Sequence, residues 1–153
     1  MITNKNIFYV LVLFVASFYI HEIGHVIALW GLGISSYVEL TITSLGLVLR
    51  ATWEHQPTDL FDIYFAAFFG PFFSGIVFML IGKFIKPEAY VAGAFQLSYA
   101  PFEMMSWILY GNVGMLNVCI LFIPMVFIPM FPIASWAMTK VEKCNKMKYN
   151  SLN

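Results

Sequence analysis

The stretch His21-Glu22-Ile23-Gly24-His25 lies inside an apolar run, residues 7–30, and decides how the chain is interpreted. Residues four apart in a helix project from the same face, so the imidazoles of His21 and His25 lie one turn apart and can bind one metal ion. Glu22, beside them, is placed to take a proton from a water molecule that the metal activates. The pattern therefore predicts a metal site with a general base inside a helix.

The composition indicates that this helix lies in a membrane. Hydrophobic residues make up 61% of the 153 residues, charged residues only 10%, and the mean hydropathy is +0.81. A soluble domain carries about 25% charged residues. Ionisable side chains are costly within a bilayer, so those found there indicate a functional site by default. A polar cluster that only ties helices together would explain one histidine, but it explains the full triplet poorly.

The apolar pattern predicts an all-α integral membrane protein with about four membrane-spanning helices and a short membrane-associated β-hairpin after the first. A helix of about 20 apolar residues crosses a bilayer. The loop between the first two spans is β-branched and partly alternating, which predicts two short strands. The predicted elements are spans at 7–30, 60–85, 88–109 and 115–138, a hairpin at 35–55, and a polar basic tail at 140–153 after a single transmembrane domain at 1–139.

Four spans would put both termini on one side of the membrane, together with the loop between the second and third spans. Positively charged residues collect on the cytoplasmic side of membrane proteins, so the charge distribution predicts cytoplasmic termini. Arg50 alone falls on the other side. The side with the termini holds seven of the eight basic residues, Lys5, Lys83, Lys86, Lys140, Lys143, Lys146 and Lys148.

With these features in place, the chain resembles the site-2 protease group of intramembrane zinc metalloproteases (peptidase family M50). His21-Glu22-Ile23-Gly24-His25 matches the family's HExGH motif, and the hairpin-like stretch follows it as a β element does in the family. Gly70-Pro71-Phe72-Phe73-Ser74 is similar to the family's G-P-x-x-N/S/G element in the next core helix. The resemblance implies a Zn²⁺ cofactor, Glu22 as general base, and membrane-protein or peptide substrates cleaved in or near their transmembrane segments.

The third metal ligand departs from the family pattern, which usually supplies an aspartate in an N-x-x-P…D-G stretch. This chain has Glu103 roughly at the first part of that pattern and Asn112 roughly at the second. Glu103 would complete a His₂Glu set, which is known from catalytic zinc sites. It is the preferred candidate, because a carboxylate inside an apolar helix otherwise lacks a partner. Asn112 would be a poor ligand and would imply a weakened or inactive protein.

Other interpretations follow from the same residues. A catalytically inactive, family-like membrane protein could bind a metal or a partner helix. His55, in the predicted hairpin loop, could be a further ligand, but a lone loop histidine is more often solvated. Three histidines are too few for a di-iron hydroxylase. With a net charge of zero, nothing indicates nucleic-acid binding.

Two expectations concern the hairpin. An exposed edge at residues 37–43 could bind an unwound substrate by strand addition. The charge distribution places the hairpin outside the cell, whereas the resemblance implies that it faces the cytoplasm.

Overall fold

The computed structural model describes residues 4–43, 46–55 and 57–111, and a few isolated positions between 132 and 143. The prediction of a mainly helical chain with a hairpin after the first helix is confirmed. The predicted fourth span, 115–138, and the basic tail fall outside the described residues, apart from those isolated positions. The elements in chain order are α1 (Asn4–Gly31), β1 (Ser36–Thr43), β2 (Gly46–Trp53), α2 (Leu60–Phe84) and α3 (Ala89–Tyr110).

Two of these helices are long and apolar enough to cross a membrane, α1 over Asn6–Gly31 and α2 over Leu60–Phe84. The described residues therefore contain two candidate spans, where the sequence predicted four. Helix α3 has 22 residues but is not among them. The reason lies in its polar side chains, such as Gln96 and Glu103, which are buried within the bundle and lower the average hydropathy of the helix.

Helix α1 presents many large apolar side chains outward and several small or polar ones inward. On α1, Val15 is 70% exposed and Phe8 is 62% exposed, whereas Ser17 is fully buried and His21 is 4% exposed. A helix on the surface of a soluble protein has the opposite arrangement, with its apolar stripe against the core. Helix α1 therefore departs from the pattern of a surface helix in a soluble protein.

Small residues let the three helices approach closely, as is common in membrane bundles. A Cβ atom on Gly24 of α1 would lie 2.8 Å from the carbonyl oxygen of Gly70 on α2. A Cβ atom on Gly93 of α3 would lie 2.9 Å from the backbone nitrogen of Met79 on α2. Backbone therefore packs on backbone at both interfaces, and α2 lies in contact with α1 and α3.

The hairpin is antiparallel, with Val38 opposite Ala51. Next to the strands, the Glu54 N–H donates to the Ser35 carbonyl at 3.0 Å. Hydrogen-bonded and non-bonded pairs alternate along an antiparallel ladder, so Val38 and Ala51 form a non-bonded pair. The Ala51 N–H therefore points away from β1. This orientation makes it available to another element of the fold.

Two tryptophans attach the hairpin to the helices. The Trp30 indole at the end of α1 donates to the Ser36 carbonyl at 2.8 Å. The Trp53 ring of β2 lies beside Trp107 of α3, with 6.3 Å between ring centroids. The hairpin is thus held at one side of the bundle, next to the middle of α1.

Candidate metal centre

His21 and His25 of α1 and Glu103 of α3 converge inside the bundle. One carboxylate oxygen of Glu103 lies 3.0 Å from His21 Nε2, and the other lies 3.2 Å from His25 Nε2. The three residues are only 4%, 8% and 8% exposed. One ligand atom from each lies within 4.8 Å of the other two, so this group could hold a metal ion.

The spacing and hydrogen bonding of this group suit zinc. In a tetrahedral site with zinc–ligand bonds of ~2.0–2.1 Å, ligand atoms lie about 3.3 Å apart. The two distances to Glu103, 3.0 Å and 3.2 Å, are close to that spacing. Among the described residues, Glu103 Oε2 is buried without a hydrogen-bond partner. A buried carboxylate oxygen facing an imidazole nitrogen needs a cation or a proton between them. The residues present could therefore hold a metal ion.

The other ring nitrogens point away from Glu103 and have partners of their own. His25 Nδ1 lies 2.7 Å from the Ala66 carbonyl oxygen. A carbonyl oxygen only accepts, so Nδ1 carries a proton, and Nε2 is the ring nitrogen that faces Glu103. His21 Nδ1 lies 2.9 Å from Gln96 Oε1. Metal-binding histidines usually donate their second N–H in this way.

Gly70 provides the surface on which the His25 ring packs. A methyl group at this position would overlap the imidazole ring, so only glycine fits there without displacing His25. Gly70 also lies in close contact with Gly24 of α1. The same glycine also determines where the ring of His25 can lie.

Glu22 is placed at the edge of the group rather than within it. Its Oε2 accepts a hydrogen bond from the Ala51 N–H of β2 at 2.6 Å. Its Oε1 lies 3.9 Å from His21 Nε2, and the side chain is 19% exposed. Of its two oxygens, Oε1 is therefore the one directed to the predicted ligands. The hairpin orients a side chain that α1 provides.

A cavity of about 580 Å³ opens beside the three converging side chains. Pockets of about 300–1,000 Å³ are typical of small-ligand sites. Among the described residues, the strand that lines this cavity is β2, whereas the sequence-based expectation assigned substrate binding to the edge at 37–43, which is β1. The residues that line the cavity include Glu22, His25 and Glu103, the β2 residues Arg50, Ala51, Thr52 and Trp53, and Trp107 of α3.

The two less favoured ligand candidates do not join the group. His55 is exposed in a bend after β2. It is absent from the one group of three potential ligands that the described ranges contain. Asn112 lies outside the described residues, so its proposed role stays a prediction.

Two residues that the sequence reasoning did not assign contribute to the site. Gln96 contacts His21, and its signal was available, because it is an amide in an apolar helix seven residues, or about two turns, before Glu103. Ala51 acts through its backbone N–H, which has no sequence signature. Its part in the site depends on the register of the hairpin.

No protein-family model, curated protein or solved structure matches this chain. The likeness to site-2 proteases therefore depends on the motifs quoted above. The chemistry of the site has to be argued from its own geometry.

Proposed function

We propose that the protein is an intramembrane zinc endopeptidase of the site-2 protease type, which cleaves peptide bonds in or near the transmembrane segments of membrane proteins. The observation that supports this proposal is the convergence of His21, His25 and Glu103 next to Glu22 and a cavity. Two histidines and a glutamate form a ligand set used by catalytic zinc sites, which leave one position open.

The three predicted ligands would hold zinc through His21 Nε2, His25 Nε2 and the Glu103 carboxylate. Bound zinc supplies two things to peptide hydrolysis, activation of a water molecule and polarisation of the scissile carbonyl. The protein supplies orientation, because both imidazoles are fixed at Nδ1 by partners on other helices. It also limits water access, since the ligands are almost fully buried.

Glu22 acts as the general base in this proposal. Ala51 holds Oε2, so Oε1 is the oxygen that accepts the proton of the attacking water. The hydroxyl forms a bond to the carbonyl carbon, and the same proton passes from Glu22 to the nitrogen of the leaving amine as the C–N bond breaks. The 3.9 Å between Oε1 and His21 Nε2 keeps this oxygen near the place where the reaction occurs.

The substrate would bind as an extended strand along the free edge of β2. Main-chain groups of alternate β2 residues point away from β1 and toward the cavity that β2 lines, and of these the Ala51 N–H is already bonded to Glu22. A peptide can add to such an edge through its backbone. A helical peptide bond is shielded, so this mode also explains how an unwound segment would be presented to Glu22.

The membrane part of the proposal extends beyond the two candidate spans. We infer a multi-pass protein with four spans, in which α3 and residues 115–138 accompany α1 and α2. Both termini would be cytoplasmic, because seven of the eight basic residues would then lie on that side. Membrane lipid would contact the exposed apolar side chains of α1.

The test uses the full chain purified from membranes and a set of epitope-tagged single-span reporter proteins. The unmodified protein is expected to carry about one zinc ion per chain and to cleave a reporter. Glu22→Gln should keep the zinc but lose cleavage by about 10²–10⁴-fold, the typical contribution of a general base. His21→Ala should lose both zinc and cleavage.

Glu39→Gln is the matched control, since it makes the same chemical change on the surface of the hairpin. Equal cleavage by the unmodified protein and Glu22→Gln would disprove the protease assignment. Bound zinc that His21→Ala abolishes, without cleavage of any reporter, would instead support the alternative of a non-catalytic metal-binding membrane protein.

A further inference from the structure

Gln96 connects α3 to the metal-binding face of α1. Its side chain is fully buried, so its amide is removed from water. The amide lies between two side chains of α1, with Oε1 2.9 Å from His21 Nδ1 and Nε2 3.0 Å from Ser17 Oγ. Because residue 17 is one turn before residue 21, one amide reaches both.

His21, Gln96, Ser17 and the Phe14 carbonyl form a series of hydrogen bonds. The direction of each bond follows from the carbonyl at the end of the series. Ser17 Oγ donates its proton to the Phe14 carbonyl at 2.7 Å, and that carbonyl can only accept. Ser17 Oγ must therefore accept from Gln96, which turns the amide nitrogen toward Ser17 and the amide oxygen toward His21. The oxygen accepts the Nδ1 proton of His21, and Nε2 is left facing Glu103.

Helix α2 also binds α1 at Ser17. Ser74 of α2 donates through Oγ to the Ser17 carbonyl oxygen at 2.7 Å. Ser17 and Ser74 are both fully buried. The amide of Gln96 is therefore anchored to α1 at a place where α2 is also bound, and it cannot turn over without breaking buried hydrogen bonds.

We propose that Gln96 is a positioning residue for the metal centre, which holds the His21 ring with Nε2 toward Glu103 and thereby sets the affinity for zinc. This inference rests on the zinc site of the proposed function and adds to it the residue that orients one ligand. The Ala66 carbonyl performs the same task for His25, but a backbone group cannot be removed by a side-chain substitution. Gln96 is the orienting group that mutagenesis can reach.

The experiment compares zinc affinity, by competition with a chelator, and the visible spectrum of the Co²⁺-substituted protein. Gln96→Met keeps the length of the side chain but removes both hydrogen bonds. It should weaken zinc binding by about 10–100-fold, the usual effect of removing the partner of a metal-bound histidine, and alter the Co²⁺ spectrum. Gln96→Glu keeps an acceptor for His21 and should retain both affinity and spectrum.

Ser98→Ala is the control, because Ser98 is buried on the same helix and, within the described part of the chain, its hydroxyl bonds only to the Ala94 carbonyl one turn away. It should leave zinc affinity unchanged. If Gln96→Met does not fold, Ser17→Ala provides the test. It removes the hydroxyl that holds the amide of Gln96 and should also weaken zinc binding.

Two results are distinguishable. A folded Gln96→Met protein with the zinc affinity and Co²⁺ spectrum of the unmodified protein would overturn the role of Gln96 while leaving the zinc site intact. If Gln96→Met is unfolded, a Ser17→Ala protein with unchanged zinc affinity would overturn that role in the same way. An unmodified protein that binds neither zinc nor cobalt would overturn the proposed function itself.

Discussion

The two sides of the cavity are built in different ways, although their residues are neighbours in sequence. His21 and His25 are almost fully buried among three helices, and each ring is bound at Nδ1 by another helix. Glu22 is 19% exposed, and the backbone hydrogen bond that orients it comes from Ala51 of the hairpin. The ligand side therefore depends on helix packing and the base side on strand placement. Mutations should be able to disturb one without the other.

Gly70→Ala should have the largest effect, and it acts on the ligand side. The added methyl group would overlap the His25 ring, which must then leave its place against α2. We expect a loss of zinc affinity of at least about 10–100-fold, as when support of a metal ligand is removed, and loss of cleavage with it. Zinc content of the purified protein measures this effect.

Gly31→Ala is its control, because a Cβ atom there would contact nothing within 4 Å. Full zinc content in a folded Gly70→Ala protein would show that the position of His25 does not depend on this glycine.

Ala51→Pro acts on the base side and should have an intermediate effect. Proline lacks the N–H that binds Glu22, yet it is tolerated on a strand where that N–H points away from the partner strand. Zinc should remain bound, whereas kcat should fall by about 10–100-fold, as expected when a hydrogen bond to a charged catalytic group is lost.

Leu40→Pro is the matched control for Ala51→Pro. Leu40 pairs with Leu49, two pairs from the Val38 and Ala51 pair, so its N–H also points outward, but on β1, which does not line the described cavity. Loss of zinc from Ala51→Pro, in parallel with kcat, would contradict the separation of the two sides.

Glu39→Gln should have the smallest effect, since Glu39 contacts neither the predicted ligands nor Glu22, although its partners Thr52 and Arg50 line the cavity. Hydrogen bonds from Thr52 and Arg50 hold the pKa of the Glu39 carboxyl below its usual range. A lowered pKa stabilises the folded state above the unfolded pKa, and this contribution is lost as the pH falls through the folded pKa.

Thermal unfolding at several pH values tests this prediction. The difference between Glu39→Gln and the unmodified protein should be small, because the carboxylate is exposed. It should be present at neutral pH and disappear in acid. A difference that grows as the pH falls would have the wrong sign for a lowered pKa.

The sequence allowed the helical part of the fold to be predicted, because helix geometry relates spacing to direction. A spacing of four positions from His21 to His25 puts both rings on one face, and the long apolar runs predicted α1 and α2. The search for a partner of a buried carboxylate pointed to Glu103, which the structure brings to both imidazoles. Its function as a ligand stays a prediction.

The base side could not be predicted in the same way. The hydrogen bond to Glu22 comes from a backbone group, and every non-proline residue has one. Ala51 is used because the register of the hairpin turns its N–H away from β1, and a slip of one residue would turn it back. The methyl side chain of Ala51 gives no indication that its backbone N–H binds Glu22. The sequence likewise did not single out β2 as the strand that lines the described cavity.

The contact between Gly24 and Gly70 limits how the bundle can open laterally. Neither residue has a side chain that could rotate aside, so parting α1 from α2 at this level means moving whole backbones and removing Gly70 from beneath His25. Trp53 and Trp107, which both line the cavity, meet through their indole rings, and Trp53 also packs against the buried cluster of Ala28, Leu29 and Ala66. A change of rotamer in Trp107 would widen this part of the cavity wall while all three helices stay still. We therefore expect traffic to the metal centre to pass between these two indoles.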